Sequence, residues 1–218
     1  MQIKMDITYR TPGGHEAFFN TEEMDIEKAL NIAEDLERTN RAKHITFIDR
    51  YETSWTKKEL TQYLKELETE PHNVVIYFDG SFDLETNQSG LGCVIYYDQN
   101  GSSFRLRKNA LIDGLDNNNE SEYAALHLAL EAAEQLGIDH LDVWIKGDSK
   151  VVINQLNDEW PCLEESLSKW IDRIEDKIDQ LGIVPSYEYV SRKKNREADR
   201  LAAQAVQEVE VSSTVTLD

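Results

Sequence analysis

Basic residues are scarce in this chain: 23 Lys and Arg stand against 42 Asp and Glu in 218 residues, a net charge of −19. Non-specific phosphate binding rests on Lys, Arg and counterion release, so such a balance argues against a protein that coats nucleic acid indiscriminately. It does not exclude a local basic patch, or bound cations, that make one face attractive to phosphate. Basic residues do cluster, at Arg105, Arg107 and Lys108 and again at Arg192, Lys193, Lys194 and Arg196. Cysteine is nearly absent. The two present, Cys93 and Cys162, have neither metal-site spacing nor the density of a disulfide scaffold and read as buried or incidental thiols. Long apolar runs are missing as well. No stretch approaches the roughly 20 residues a membrane helix needs, and the N-terminus "MQIKMDITYR" alternates instead of offering a signal-peptide core. The expectation is a soluble cytoplasmic protein without a membrane partner, and 40% hydrophobic residues suffice for a real core.

What is present divides into two segments. In residues 1–69, Ile3, Met5, Ile7 and Tyr9 alternate as in a half-buried strand, "TPGGH" reads as a turn, and "EAFFN" completes a hairpin. Ala29, Leu30, Ile32, Ala33 and Leu36 recur at helical spacing, "HITFID" is strand-like, and "WTKKELTQYLKELETE" reads as a helix capped by Ser54 or Thr56. This is a small α+β unit without a catalytic cluster. Pro71 in "TEPHN" cannot continue the helix and marks a boundary near residue 70. Residues 70–207 then read as an α/β domain, followed by a tail, 208–218, that is either disordered or a short added strand.

Within 70–207 three strands come first, at 74–78, 91–97 and 103–108, punctuated by Gly and Asn as in an antiparallel meander. The Ala- and Leu-rich helix "ESEYAALHLALEAAEQLG" follows. A strand "LDVWIKG" and helix "SKVVINQLN" form a step typical of parallel pairing. A helix at 163–181, a strand "SYEYV" and a helix "NREADRLAAQAV" complete the order, with the helix count open around Trp160.

Four acids fall at transitions between these elements. Asp79 follows the apolar run 74–78, Glu122 lies in the first turn of the long helix, Asp148 sits where strand passes to helix, and Asp199 opens the last helix. Carboxyl ends of neighbouring parallel strands meet at one edge, where sites form. Converging carboxylates repel unless a pKa rises or a cation enters, and Mg²⁺ prefers such oxygen ligands. Two such ions can serve an in-line phosphoryl displacement. Each acid also has a purely structural reading. Glu122 stands three residues after Asn119, as in a capping box; Asp148 can cap the helix at Ser149; Asp199 can pair with Arg196; Asp79 can form a turn before Gly80. All four structural readings holding at once is the less economical account.

The motifs "YFDGSFD", "NNNESEYAAL", "GDSKVVINQLNDEW" and "NREADRLA" resemble, in order and spacing, those of type 1 ribonuclease H. The resemblance implies a ribonuclease H-like α/β fold, with a five-stranded mixed sheet flanked by helices, beside the small N-terminal α+β domain. It implies an acidic metal site of Asp79, Glu122, Asp148 and Asp199, with Mg²⁺ or Mn²⁺ as cofactor. It also implies endonucleolytic cleavage of the RNA strand of RNA–DNA hybrids, leaving a 5′-phosphate and a 3′-hydroxyl. Asp79 and Asp148 would bridge or ligate the ions, Glu122 would ligate one near the 2′-hydroxyl, and Asp199 would ligate the ion that positions the water. Asn117, Asn118 and Asn119 match the polar stretch that reads the minor groove, Asn119 doubling as helix cap. Gly80, Ser81 and Ser149 complete the implied nucleic-acid contacts.

The chain departs from the family in three respects. "YVSRKKNREAD" has no loop histidine, leaving Arg192, Lys193 or Lys194 to meet phosphate, and "NDEWPCLEESLSKW" lacks a lysine-rich protrusion. Lys150 stands where glutamine is common. An inactive module that binds nucleic acid or a protein partner is the alternative function. In residues 1–69 acidic residues outnumber basic ones, so a hybrid-binding role is not transferred there, and a nucleic-acid or protein partner both stay open. Phe18, Phe19 and Trp55 read as core packing before they read as a stacking surface.

Overall fold

The computed structural model describes residues 1–217, and the chain divides into two compact units, Met1–Leu67 and Glu68–Asp218. No helix among the described residues is long and apolar enough to cross a membrane.

The first unit is built from β1 (Gln2–Arg10), β2 (Glu16–Asn20), β3 (Met24–Asp25), α1 (Ile26–Arg38), β4 (Ala42–Asp49), β5 (Ser54–Trp55) and α2 (Lys57–Thr69). The sheet order is β2-β1-β4-β5, with β3 also pairing β1. Alternation along β1 puts Ile3, Met5 and Ile7 on one face, where they bury against Ala29, Ala33, Phe47 and Leu60. Thr56 caps α2: its hydroxyl accepts from the Glu59 N–H at 3.2 Å, and Glu59 accepts from the Thr56 N–H at 2.7 Å. Core packing of the aromatic residues is corrected in part. Phe18 and Phe19 are 60% and 52% exposed on β2, an edge strand of the sheet, where Phe19 meets the Tyr9 ring edge to face at 5.9 Å. Trp55 does pack against the core.

The second unit holds β6 (His72–Asp83), β7 (Gln88–Gln99), β8 (Ser102–Asp113), α3 (Asn118–Gln135), β9 (Asp142–Gly147), α4 (Lys150–Leu156), α5 (Glu165–Leu181), β10 (Val184–Tyr189), α6 (Arg196–Val206) and β11 (Ser212–Leu217). Its mixed sheet runs β10-β9-β6-β7-β8-β11. β10, β9 and β6 are parallel, and the remaining pairs are antiparallel. The tail thus adds a sixth strand to the expected five. Asn109 anchors it: its side chain donates to the Leu201 and Val209 carbonyls at 3.0 and 2.9 Å and accepts from the Val211 N–H at 2.7 Å. The meander strands are each 12 residues, longer than their apolar runs, because Asp79 does not end β6 but lies inside it. Two helices separate β9 from β10, which closes the count left open around Trp160.

Alternation splits the sheet's side chains between two layers. Ile76, Phe78, Cys93 and Ile95 face α3 in the main core, while Tyr77, Val94 and Tyr96 face α6 on the other side. Cys93 is fully buried, which pushes its thiol up to about 12.

Candidate active site

Parallel pairing of β6 with β9 covers Val75 to Tyr77, so Asp79 lies just past its carboxyl end, and Asp148 directly follows the end of β9. Glu122 reaches the same point because α3 presses onto β6 at Gly80. A Cβ there would lie 2.2 Å from the Ser121 carbonyl carbon, so only glycine permits the approach. The Gly80 N–H in turn donates to Glu122 Oε2 at 3.3 Å.

The capping roles open to Glu122 and Asp148 are taken by other residues. α3 is capped by Asn117, not Asn119: the Asn117 side chain accepts from the Glu120 N–H at 3.0 Å, and Glu120 accepts from the Asp116 N–H at 3.1 Å. Glu122 therefore has no capping duty. Ser149 caps α4 by accepting from the Val152 N–H at 3.4 Å, so Asp148 has no capping duty. Asp199 pairs with Arg192 and not Arg196, its Oδ1 accepting from Nε at 3.0 Å and Nη2 at 2.5 Å.

One carboxylate oxygen from each of Asp79, Glu122 and Asp148 lies within 4.8 Å of the others. Asp199 is outside that trio but lines the same cleft, of about 510 Å³, together with Gly80, Ser81, Asn118, Ser149 and Arg192. Asn117, Asn119, Lys193 and Lys194 are not among its lining residues. Asn118 has its carbonyl occupied, accepting from the Phe82 N–H at 3.2 Å, so its amide hydrogens face outward duty alone.

Asp79 and Glu122 are 7% and 5% exposed. Burial, then the charges of Glu122 and Asp148, drives the Asp79 carboxyl far above the usual carboxylate range. Burial, then Asp148, does the same to Glu122, partly offset by the Gly80 N–H and Arg192. The hydrogen-bonded Asp199 carboxylate holds Arg192 above its ordinary value. Among the described residues no Lys or Arg forms an ion pair with the trio. A buried cluster of hard oxygen donors with no protein cation between them fits Mg²⁺ or Mn²⁺.

Asn195 is the residue that sequence reasoning missed. It is 1% exposed, and its amide donates both to the Phe78 carbonyl at 2.9 Å and to Asp148 Oδ1 at 3.1 Å. Its backbone carbonyl accepts from the Asp199 N–H at 3.1 Å. One side chain thus ties the ends of β6 and β9 to the start of α6. Helix α6 can sit that close because a Cβ at Gly92 would come within 2.4 Å of the Ala198 carbonyl oxygen. In sequence Asn195 looks like an ordinary N-cap, yet it makes no side-chain cap bond.

A mixed sheet with acids gathered beyond its parallel strands, and helices on both faces, is the ribonuclease H class of fold. Residues 77–205, more than half of the chain, match the family model described as reverse transcriptase-like, and the chain belongs to that ribonuclease H-like family. Along its whole length it is 42% identical to the uncharacterized protein YpeP of Bacillus subtilis strain 168, covering 96% of that protein. It is 31% identical to ribonuclease HI of Halobacterium salinarum over 60% of this chain and 62% of that protein. The crystal structure of ribonuclease H1 from that archaeon covers 62% of this chain and 98% of its own, at 30% identity and a TM-score of 0.53. LC11-RNase H1, isolated from compost and solved in complex with an RNA/DNA hybrid, matches at 27% identity and a TM-score of 0.54, covering 62% of this chain and 98% of its own. The first unit lies outside the family match and inside the likeness to YpeP.

Proposed function

We propose that the protein is a type 1 ribonuclease H, an endonuclease that hydrolyses the RNA strand of RNA–DNA hybrids with divalent cations. The observation that carries this reading is the trio Asp79, Glu122 and Asp148, with oxygens within 4.8 Å of one another and two of the three side chains buried without a cation partner. Those three residues would hold the ions, and Asp199 would face them across the cleft. Bound Mg²⁺ or Mn²⁺ would activate the attacking water and steady the departing oxygen of an in-line displacement, leaving a 5′-phosphate and a 3′-hydroxyl.

The chain's own residues do the rest. Glu122, set at the start of α3, would meet the 2′-hydroxyl of the cleaved strand. Asn117 and Asn118 have their side-chain carbonyls engaged, so they meet the minor groove as donors. Asn119 lies one position further along the helix. The Gly80, Ser81 and Ser149 backbone and hydroxyls would line the path of the scissile strand. Arg192 orients Asp199 where relatives carry a loop histidine.

The test is cleavage of an end-labelled hybrid in Mg²⁺ and Mn²⁺ by the wild type, Asp79→Asn and Asp148→Asn. The expected loss in each variant is at least about 1000-fold. Wild-type turnover no higher than that of the variants would overturn the proposal. The ion pair between Arg192 and Asp199 favours a second reading, binding without hydrolysis, because it neutralises one acid of the cleft. In that case the hybrid binds in Ca²⁺ and stays intact in Mg²⁺ and Mn²⁺.

A further inference from the structure

The face of the larger sheet turned away from α3 carries a second cavity that hydrolysis does not use. Its floor is Val75 and Tyr77 of β6 and Val94 and Tyr96 of β7, its roof includes Lys194 and Glu197, and it encloses about 320 Å³. Register extends the floor sideways. Val75 pairs with Trp144 and Tyr77 with Lys146, so both β9 side chains share this face. The Tyr77 and Tyr96 rings meet edge to face at 6.0 Å, and Trp144 is 51% exposed with the Lys146 ammonium 5.4 Å from its ring centre. Three aromatic rings therefore cross three adjacent strands.

The charge beside this row runs against that of the chain. Residues 191–200 carry five Lys and Arg against two acids, in a protein of net charge −19. Both acids are already engaged: Glu197 with Arg105 at 3.1 Å and the Tyr96 hydroxyl at 2.9 Å, Asp199 with Arg192. Lys193 and Lys194 are exposed and make no ion pair among the described residues. The same turn is also the wall between the two cavities. Arg192 lines the acidic cleft, Lys194 lines the aromatic groove, and Asn195 lines the groove while its amide holds Asp148.

We propose that this groove binds single-stranded nucleic acid, namely the unpaired strand that runs past the end of a hybrid held in the acidic cleft. Its bases stack on Trp144, Tyr77 and Tyr96, and its phosphates meet Lys193 and Lys194. Stacking on a row of rings beside cations suits any base sequence, because every base offers a π face. The route from cleft to groove rests on the hydrolase reading; the groove's affinity for a free strand does not.

The experiment measures fluorescence anisotropy of the full chain in Ca²⁺ with three probes: a blunt hybrid, the same hybrid with a single-stranded overhang of either polarity, and free oligo(U). The overhang is expected to tighten binding by about tenfold over the blunt hybrid. Trp144→Ala should remove that gain and weaken oligo(U) binding by about tenfold, with blunt-hybrid cleavage unchanged. Tyr77→Leu, which keeps the apolar packing, should weaken both in the same way. No gain from the overhang in the wild type, or a gain that survives Trp144→Ala, overturns the proposal and leaves the face to a protein partner. Failure of the wild type to cleave the blunt hybrid sinks the hydrolase reading alone, because the oligo(U) arm reads the groove without it.

Discussion

Asp49 and Asp79 are both strand aspartates, 6% and 7% exposed, yet their carboxyls are driven in opposite directions. Asp49 receives the Trp55 indole N–H at 3.0 Å and the backbone N–H groups of Tyr51 and Thr53 at 2.8 and 2.9 Å. Those donors, the indole first, hold it below the usual carboxylate range. Asp79 meets carboxylates where Asp49 meets donors. The difference teaches that burial alone does not mark a site. A buried acid whose surroundings supply N–H groups is a structural fastener, whereas one whose surroundings withhold them stores a demand for a cation.

Replacing each aspartate by asparagine is the strongest way to break the comparison. Asp49→Asn should lower the stability of the first unit, since an amide cannot accept from all three donors with both of its heavy atoms. Asp79→Asn should stabilise the metal-free protein by about 1–3 kcal/mol, because an amide is neutral without the proton uptake that burial and the neighbouring acids force on the carboxyl. Urea unfolding in EDTA reads both. Saturating Mg²⁺ should raise the wild-type midpoint and leave that of Asp79→Asn nearly unmoved. Shifts of the same sign in the two variants would erase the distinction.

The two aspartates also differ in how they read from the sequence. Asp79 stood out because an apolar strand run leads into it, a local signal. Asp49 did not, because its partners Tyr51, Thr53 and Trp55 are ordinary turn and strand residues until the backbone folds their N–H groups inward. The antiparallel meander and the parallel strand–helix step were legible in element order and the apolar period, whereas the neighbouring of β6 and β9 that gathers Asp79, Glu122 and Asp148 was not. Which of three consecutive asparagines caps α3 did not, because each has the same side chain and only helix phase separates them. Residues tied over long separations were equally hidden. β11 finds its partner a hundred residues back in β8, and Asn195 bonds Phe78 and Asp148 across 117 and 47 positions.

Asn195 sharpens the comparison at one remove, since its amide is a neutral donor that reaches the acidic trio at Asp148, as the Gly80 N–H does at Glu122. Asn195→Ala should cost about 1–3 kcal/mol, because it leaves the Phe78 carbonyl buried without its partner. Mn²⁺ affinity, measured by calorimetry, should fall about tenfold as Asp148 loses its orientation. Asn195→Asp should destabilise the metal-free protein further than alanine does, because it adds a fourth carboxylate beside the trio. An alanine variant with wild-type Mn²⁺ affinity would show that Asn195 only holds the fold.

The smallest effect is a pair of pH dependences of stability, opposite in sign because the carboxyls are shifted in opposite directions. Asp79 and Glu122 have raised values in the folded state, so folded protein binds more protons than unfolded protein once the unfolded carboxyls ionise. Their contribution is full below the ordinary carboxylate range and is lost as pH rises from there toward the raised values. Asp49 has a lowered value, so its contribution is present above the ordinary range and is lost as pH falls through it. In EDTA, hydrogen exchange should therefore show β6 amides losing protection as pH climbs toward neutrality, after correction for intrinsic exchange rates, while β4 amides lose theirs only on acidification. Saturating Mg²⁺ should reverse the β6 trend and leave β4 alone, because ion binding requires deprotonated ligands. Parallel slopes in the two strands, or a β6 slope indifferent to Mg²⁺, would mean that the trio's repulsion is relieved by something other than a divalent ion.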